Sequence, residues 1–201
     1  VKHEILAPGI EIYQGDCTEV MRTLEDKSFD AVITDPPYED DSLYEYLHSF
    51  TLKAGVNLVM FCNENYYPSI RPDETQYWIK TPSTKNYSKN CGRFVERILI
   101  YRDYENGAFN QLHWSQMIGV HQDRVIERTL IHPYQKPISL MIRMVMIYSN
   151  SFVHDPCMGS GTTGVACVQT GRKFTGIELD PGYYEIAKRR IREALMQPRL
   201  L

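Results

Sequence analysis

The chain has 201 residues, of which 43% are hydrophobic and 23% charged, and a formal net charge of −3; that is the balance of one α/β domain with a core of its own. Such a charge excludes a protein held to nucleic acid by bulk positive charge and leaves a local basic surface as the only electrostatic route to that partner. No apolar run is long enough to span a membrane and no signal segment follows Val1, so a cytoplasmic chain without membrane contact is expected.

In chain order, Ile10 to Tyr13 alternates as a strand and stops at Gly15-Asp16. Cys17 to Asp26 reads as a short helix, with Val20, Met21 and Leu24 at helical spacing. Phe29 to Thr34 is a run of β formers ended by Pro36-Pro37, because two prolines cannot continue a ladder. Leu43 to Leu52 has helical periodicity and Val56 to Cys62 reads as a buried strand. Gln76 to Lys80 and Phe94 to Tyr101 read as two more strands. The stretch 103–131 is irregular apart from a short helix around Leu112 to Ile118. Pro137 to Tyr148 reads as a helix opened by its proline. Then come strand Phe152 to His154, helix Thr162 to Thr170, strand Phe174 to Ile177 and helix Tyr183 to Leu195. Strands alternating with helices predict an α/β fold on a mostly parallel sheet, as a single domain over 1–201.

Five cysteines occur, Cys17, Cys62, Cys91, Cys157 and Cys167, an odd number with no CxxC pair. That spacing predicts neither a disulfide framework nor a metal site.

Two strings carry chemistry. Asp155-Pro-Cys-Met-Gly-Ser-Gly-Thr-Thr-Gly164 follows a strand and opens a helix, and its Gly159 to Gly164 portion fits G-x-G-x-x-G. Glycines there permit a tight turn and close approach of a ligand to the backbone. Glu178 ends the next strand, where a carboxylate can bond ribose hydroxyls. The pattern fits a nucleoside cofactor or, in the plainest reading, a tight turn with no ligand. Only 37 residues follow Gly164, too few for the second half of a dinucleotide fold. No lysine precedes Thr162, so the segment is not a P-loop.

The second string, Asp35-Pro36-Pro37-Tyr38, ends the strand Ala31 to Thr34. Strand C-termini form the ligand crevice of an open parallel sheet. An exocyclic amino group on a base is a poor nucleophile, because its lone pair is delocalised into the ring. Asp35 and a backbone carbonyl, that of Pro36, can each accept one amino hydrogen and hold the lone pair towards a methyl donor. Tyr38 can stack on a base swung out of the helix. A strand-end Pro-Pro turn without function is the plain alternative.

Together these strings resemble those of the DNA amino-methyltransferases. Asp35 to Tyr38 resembles the family's Asp/Asn/Ser-Pro-Pro-aromatic catalytic string. Asp155 to Thr163 resembles its cofactor string, with Cys157 where phenylalanine is usual. His132-Pro-Tyr-Gln-Lys-Pro137 resembles the family's His-Pro-x-Gln-Lys-Pro, and Gly15-Asp16-Cys17 resembles a segment lining the adenine end of the cofactor pocket. Tyr77 to Lys80 and Arg93 to Glu96 resemble two weaker segments framing the target-base pocket. The catalytic string precedes the cofactor string, the order of the permuted class called β. The resemblance implies a Rossmann-like methyltransferase fold of seven strands, one antiparallel near an edge. It implies S-adenosylmethionine as cofactor, contacted by Asp16, Cys17, Asp35, His132, Lys136, Pro137, Asp155, Cys157, Gly159, Ser160, Gly161, Thr162, Thr163 and Glu178. Asp as the first catalytic residue leans towards N6 of adenine. N4 of cytosine, RNA, an inactive binding subunit and a nucleotide-dependent oxidoreductase are the alternatives.

Double-stranded DNA is the expected partner, and a homodimer and a cognate restriction endonuclease are further partners consistent with such an enzyme. From Arg71 to Arg102 seven positive residues stand against three negative, and Lys80, Lys85, Lys89 and Arg93 are the expected phosphate contacts. The 29 residues 103–131 occupy the place of a target-recognition segment, with Trp114 and Arg124 as candidate base contacts; a plain surface connection is the alternative. Lys188 to Arg192 reads as a solvated helix face.

Overall fold

The computed structural model describes residues 1–24, 29–62, 66–79, 95–102, 120–121 and 135–197. Nine strands and five helices follow in the order β1 (Lys2–Ala7), β2 (Ile10–Gln14), α1 (Cys17–Met21), β3 (Ala31–Thr34), α2 (Asp41–Ala54), β4 (Asn57–Cys62), β5 (Glu74–Ile79), β6 (Val95–Tyr101), β7 (Val120–His121), α3 (Ile138–Tyr148), β8 (Phe152–Asp155), α4 (Thr162–Gln169), β9 (Lys173–Glu178) and α5 (Pro181–Leu195), among the described residues. They form one sheet in the order β1-β2-β9-β8-β3-β4-β6-β5-β7. Strands β2, β9, β8, β3 and β4 run parallel, and β6 lies antiparallel between β4 and β5.

The strand residues alternate between two apolar layers, as a sheet covered on both faces requires. Ile10, Ile12, Ile33, Val59 and Phe61 pack under Leu140, Met144, Ala166, Ala187 and Ile191 of α3, α4 and α5. Tyr13, Val32, Leu58, Met60 and Ile177 pack under Val20, Met21, Leu43, Tyr44 and Leu47 of α1 and α2. This two-sided burial is why β3 and β4 are continuous apolar runs rather than alternating ones.

The connections fix where a ligand can sit. From β8 the chain crosses through α4 to β9 on one side; from β3 it crosses through α2 to β4 on the other. The connections leaving the neighbouring strands β8 and β3 therefore part to opposite faces of the sheet, and such a switch point opens a crevice. Asp155 and Asp35 stand at the two lips of it.

Asp30, just ahead of β3, clamps the opposite end of this pair. Its carboxylate accepts from the Ser149 hydroxyl, the Asn150 amide (3.1 Å), the Ser151 amide (2.6 Å) and hydroxyl (2.9 Å), and the Phe152 amide (3.3 Å). Removing a carboxylate that serves several donors leaves the backbone amides of Asn150, Ser151 and Phe152 without that acceptor. Asp30→Ala is expected to lower unfolding stability by about 2–3 kcal/mol, read from urea denaturation. A loss under about 1 kcal/mol, the level of one ordinary hydrogen bond, would show the clamp to be unimportant.

The seven expected strands are all present, with β6 the antiparallel one. Strands β1 and β7 extend the sheet at its two edges, and β1 adds a second antiparallel pairing. Strand β1 has no alternating apolar pattern because it is held by charge: Glu4 pairs with Lys188 (2.8 Å), Lys2 (3.0 Å) and Arg192 (3.4 Å). Helix α1 ends at Met21; positions 25–28, including the expected end at Asp26, lie outside the described residues. The helix expected around Leu112 to Ile118 also lies outside them. Among the described residues no helix is long and apolar enough to cross a membrane.

Candidate active site

A cleft of about 820 Å³ lies over the switch point, lined on one side by Asp35, Pro36, Pro37 and Tyr38 and on the other by Asp155, Cys157, Gly159, Ser160, Thr162 and Thr163. The two strings are 120 residues apart at Asp35 and Asp155 but share this one cavity. Glu178, Lys136 and Gln135 also line it.

The glycine loop is shaped by backbone geometry. Gly159 and Gly161 have φ of +52° and +79°, the left-handed region that glycine enters without penalty. Gly161 caps α4, and a Cβ there would lie 2.9 Å from the Cβ of Ala187 on α5. Its side is thus spent on helix packing, and it is not among the residues lining the cleft. The loop then presents Gly159 and Ser160 to the cavity. Glu178 steadies it: its carboxylate accepts from the Gly159 amide (2.9 Å) and from the Asp180 amide (2.8 Å). Burial pushes the Glu178 carboxyl above its usual range.

Arg190 of α5 braces the same loop from behind, donating to the Ser160 carbonyl (2.7 Å), the Ser160 hydroxyl (2.9 Å) and the Thr162 hydroxyl (3.1 Å). Sequence reasoning placed Arg190 in a solvated basic run; only the return of α5 across the loop gives it this task. Asp155 is buried, accepts from the Cys157 amide at 3.1 Å, and is pushed up to about 7 by burial, with the Thr163 and Thr34 hydroxyls acting against that rise.

At the other lip, Asp35 is ion-paired to the ammonium of Lys136 through Oδ2, while its Oδ1 accepts no hydrogen bond among the described residues. Lys136 sits between two carboxylates, with Glu96 of β6 at 3.1 Å, and both the lysine and Glu96 side chains are only 5% exposed. The Tyr38 hydroxyl is 3.3 Å from the same ammonium. The rings of Phe61, Tyr38 and Trp78 surround it at 5.1, 5.7 and 5.8 Å. Burial alone would pull the lysine down, but Asp35 and Glu96 outweigh it and its pKa is raised. Burial lifts Asp35, Lys136 opposes the rise and Glu96 adds to it, and the net shift is upward. The Tyr44 hydroxyl is within hydrogen-bond reach of the Phe61 carbonyl (3.2 Å) and the Pro36 carbonyl (3.5 Å); with one proton it serves one of them at a time, which leaves Pro36 acceptor capacity for another donor.

The remaining expected residues are distributed as follows. Asp16 is exposed and caps α1 by accepting from the Thr18 (2.8 Å) and Glu19 (3.2 Å) amides. Cys17 lies against the thiol of Cys157 beside the cleft. Pro137 is buried as the cap residue of α3. His132, Lys80, Lys85, Lys89, Arg93, Trp114 and Arg124 lie outside the described residues. Lys136 lines the cleft, and its ammonium lies against Asp35 and Tyr38 of the catalytic string.

A model of the DNA methylase family covering N6 and N4 enzymes matches residues 29–189. The chain belongs to the N6/N4 DNA methylase family. Among curated members it is 44% identical to the DNA adenine methyltransferase YhdJ of Escherichia coli, over 90% of this chain and 82% of the relative. It is 35% identical to the type II methyltransferase M.HinfI of Haemophilus influenzae, over 93% of this chain and 69% of the relative. Among solved structures, the M1.HpyAVI–SAM complex superposes with a TM-score of 0.75 at 27% identity, covering 90% of this chain and 98% of that one. The alignment with YhdJ runs over 244 positions, more than this chain has residues, so that N6/N4 methylase carries insertions relative to this one. The family's fold is the one described above, and DNA is the family's substrate.

Proposed function

We propose that this chain transfers a methyl group from S-adenosylmethionine to N6 of an adenine swung out of duplex DNA. The observation that carries the proposal is that the Asp35-to-Tyr38 turn and the glycine loop line one cleft, with an Asp35 carboxylate whose Oδ1 has no hydrogen-bond partner among the described residues. The 44% identity to a DNA adenine methyltransferase supports adenine over cytosine.

The cleft suits that cofactor. Glu178 and the Gly159 turn would hold the ribose end, and Asp155, Ser160, Thr162 and Thr163 supply polar groups along the remaining wall. Asp16, Cys17, Cys157 and Pro137 would border it and His132 would close it. When bound, S-adenosylmethionine supplies a cationic sulfonium whose methyl carbon is electrophilic. The Asp35 carboxylate and the Pro36 carbonyl accept the two amino hydrogens and so orient the nitrogen lone pair. Tyr38, tied through its hydroxyl, offers its ring face to the base. The acceleration comes from orientation and from acceptors held in place before the reaction starts.

Glu178→Gln keeps the shape but loses the charge at the loop. It is expected to weaken S-adenosylmethionine binding about tenfold, the worth of one charge-assisted hydrogen bond, as read by titration calorimetry. Affinity within twofold of native would remove Glu178 from the cofactor site.

Residues 103–131 are the proposed target reader, with Trp114 and Arg124 at the bases and Lys80, Lys85, Lys89 and Arg93 on phosphates. A reader of only 29 residues fits a short recognition site or a homodimer that supplies more surface. A cognate restriction endonuclease is the partner proposed from the type II relatives such as M.HinfI. The deciding experiment is methylation of mixed-sequence DNA, digestion to nucleosides and mass analysis. N6-methyladenine is expected. N4-methylcytosine in its place would overturn the choice of base, and no methylated nucleoside would overturn the activity.

A further inference from the structure

A carboxylate paired one-to-one with a buried lysine is a poor place to put a proton. Protonating it would leave the ammonium without a counter-ion in a dry site, which is strongly unfavourable. Asp35 faces this difficulty if Lys136 is its only partner. The methyl-transfer chemistry demands a proton acceptor: the new carbon–nitrogen bond forms as the carbon–sulfur bond breaks with its electron pair left on sulfur. The amino nitrogen then carries the positive charge and must shed one proton.

We propose that Glu96 is a positioning residue for this step: by sharing the Lys136 ammonium, it keeps that lysine paired while Asp35 takes the proton from the methylated amino group. The proposal rests on the functional reading above. Its support is geometric. The single ammonium contacts both carboxylates, with Glu96 at 3.1 Å and 5% exposed and Asp35 at the cleft. Two carboxylates against one lysine give the cluster one net negative charge before transfer. It becomes neutral once Asp35 holds the proton, and at no point is the lysine left alone. The same charge also favours the positive nitrogen that forms beside Asp35. Glu96 further takes a hydrogen bond from the Tyr38 hydroxyl, so the ring expected to stack on the base is anchored to the same cluster. Because β6 runs antiparallel between β4 and β5, Glu96 points to the buried face beside Trp78 and Phe61 rather than to the side of Arg97 and Val95.

The titratable groups facing Asp35 are Tyr38 on its own turn, Tyr44 of α2, Cys62 of β4, Glu96, Lys136 and Asp155 of β8. Glu96 and Lys136 are the charged ones with direct links to it through the shared ammonium. Removing the Glu96 charge therefore leaves Lys136 wholly to Asp35 and makes Asp35 harder to protonate.

The test is Glu96→Gln, which keeps the size and the hydrogen bond to Tyr38. Single-turnover methylation of amplified, unmethylated mixed-sequence DNA is measured from pH 5 to pH 9. In parallel, the Asp35 carboxyl carbon is titrated by ¹³C NMR in cofactor-free protein. Expected are a loss of methyl transfer of about tenfold to 100-fold, below the roughly 100- to 1000-fold cost of removing a preorganised group that itself touches the reacting atoms because Glu96 acts through Lys136, and S-adenosylmethionine affinity within about threefold of native. The acid limb of the pH profile and the Asp35 titration should both move to lower pH. A rate within about twofold of native overturns the proposal. So does a slow variant whose acid limb and Asp35 titration stay where the native ones are, because that is what a purely structural role predicts. If native protein methylates no DNA, the functional reading falls, and the NMR titration still decides whether Glu96 governs Asp35.

Discussion

Asp35→Ala is expected to reduce single-turnover methyl transfer by about 1000-fold or more while the protein still folds. The loss follows from the role proposed for Asp35: an acceptor for an amino hydrogen and, after transfer, the place for a proton. Orientation and preorganised electrostatics together are worth several powers of ten in rate, and alanine supplies neither. The fold should survive because Lys136 keeps Glu96 at 3.1 Å, so the buried ammonium retains a counter-ion. A variant that lost both carboxylates, Asp35→Ala with Glu96→Ala, should be far less stable, since a lone buried charge costs about 3–5 kcal/mol. Binding of S-adenosylmethionine by Asp35→Ala should fall modestly, because the turn borders the cofactor wall. Measured turnover within tenfold of native would remove Asp35 from the reaction.

Gly161→Val should unfold readily and bind no cofactor. Gly161 has φ of +79°, where a side chain costs about 1–2 kcal/mol and a β-branched one more. The added Cβ would also meet the Cβ of Ala187 at 2.9 Å and its Cα at 3.0 Å. Backbone cannot swing aside as a flexible side chain can, and Ala187 and Ile191 are fully buried against the sheet. Overpacking of this kind costs about 1–3 kcal/mol, so a total loss of about 2–5 kcal/mol is expected by chemical denaturation. Gly161→Ala should lose less, having no branch. If Gly161→Val unfolded at the native denaturant midpoint, the tight contact between α4 and α5 would not be what the glycine is for.

Both of these residues were visible in the amino-acid order, but for different reasons. Asp35 stood out because two prolines end an apolar strand at a carboxylate, and the fold brings that turn to the cleft it shares with the glycine loop. Gly161 was legible as a glycine in a turn, but its tight packing against Ala187 was not. Lys136 shows the same limit. Its motif named it as a cofactor contact, and only the fold shows its ammonium bridging Asp35 and Glu96. No local signal could have said so, since the three come from β3, β6 and the entry to α3. Arg190 looked like surface charge because its neighbours in sequence are charged. Its partners Ser160 and Thr162 lie about 30 residues earlier and become neighbours only when α5 folds back.

Strand β1 was missed because edge strands need only one buried side and can be held by ion pairs, so the apolar alternation that betrays inner strands is absent. What the order of residues determined by itself was the local chemistry and the periodicities: seven strands, the helices between them, the two turns and the family. Those are properties of short windows, where backbone sterics and side-chain burial act on neighbours in the chain. What only the tertiary structure decided was which charges meet. A buried lysine takes as partners whichever carboxylates the sheet brings within a few ångströms, and sheet order is set by the packing of whole elements. That is why Glu96, read in sequence only as the end of a segment framing the target-base pocket, ends up sharing one lysine with Asp35.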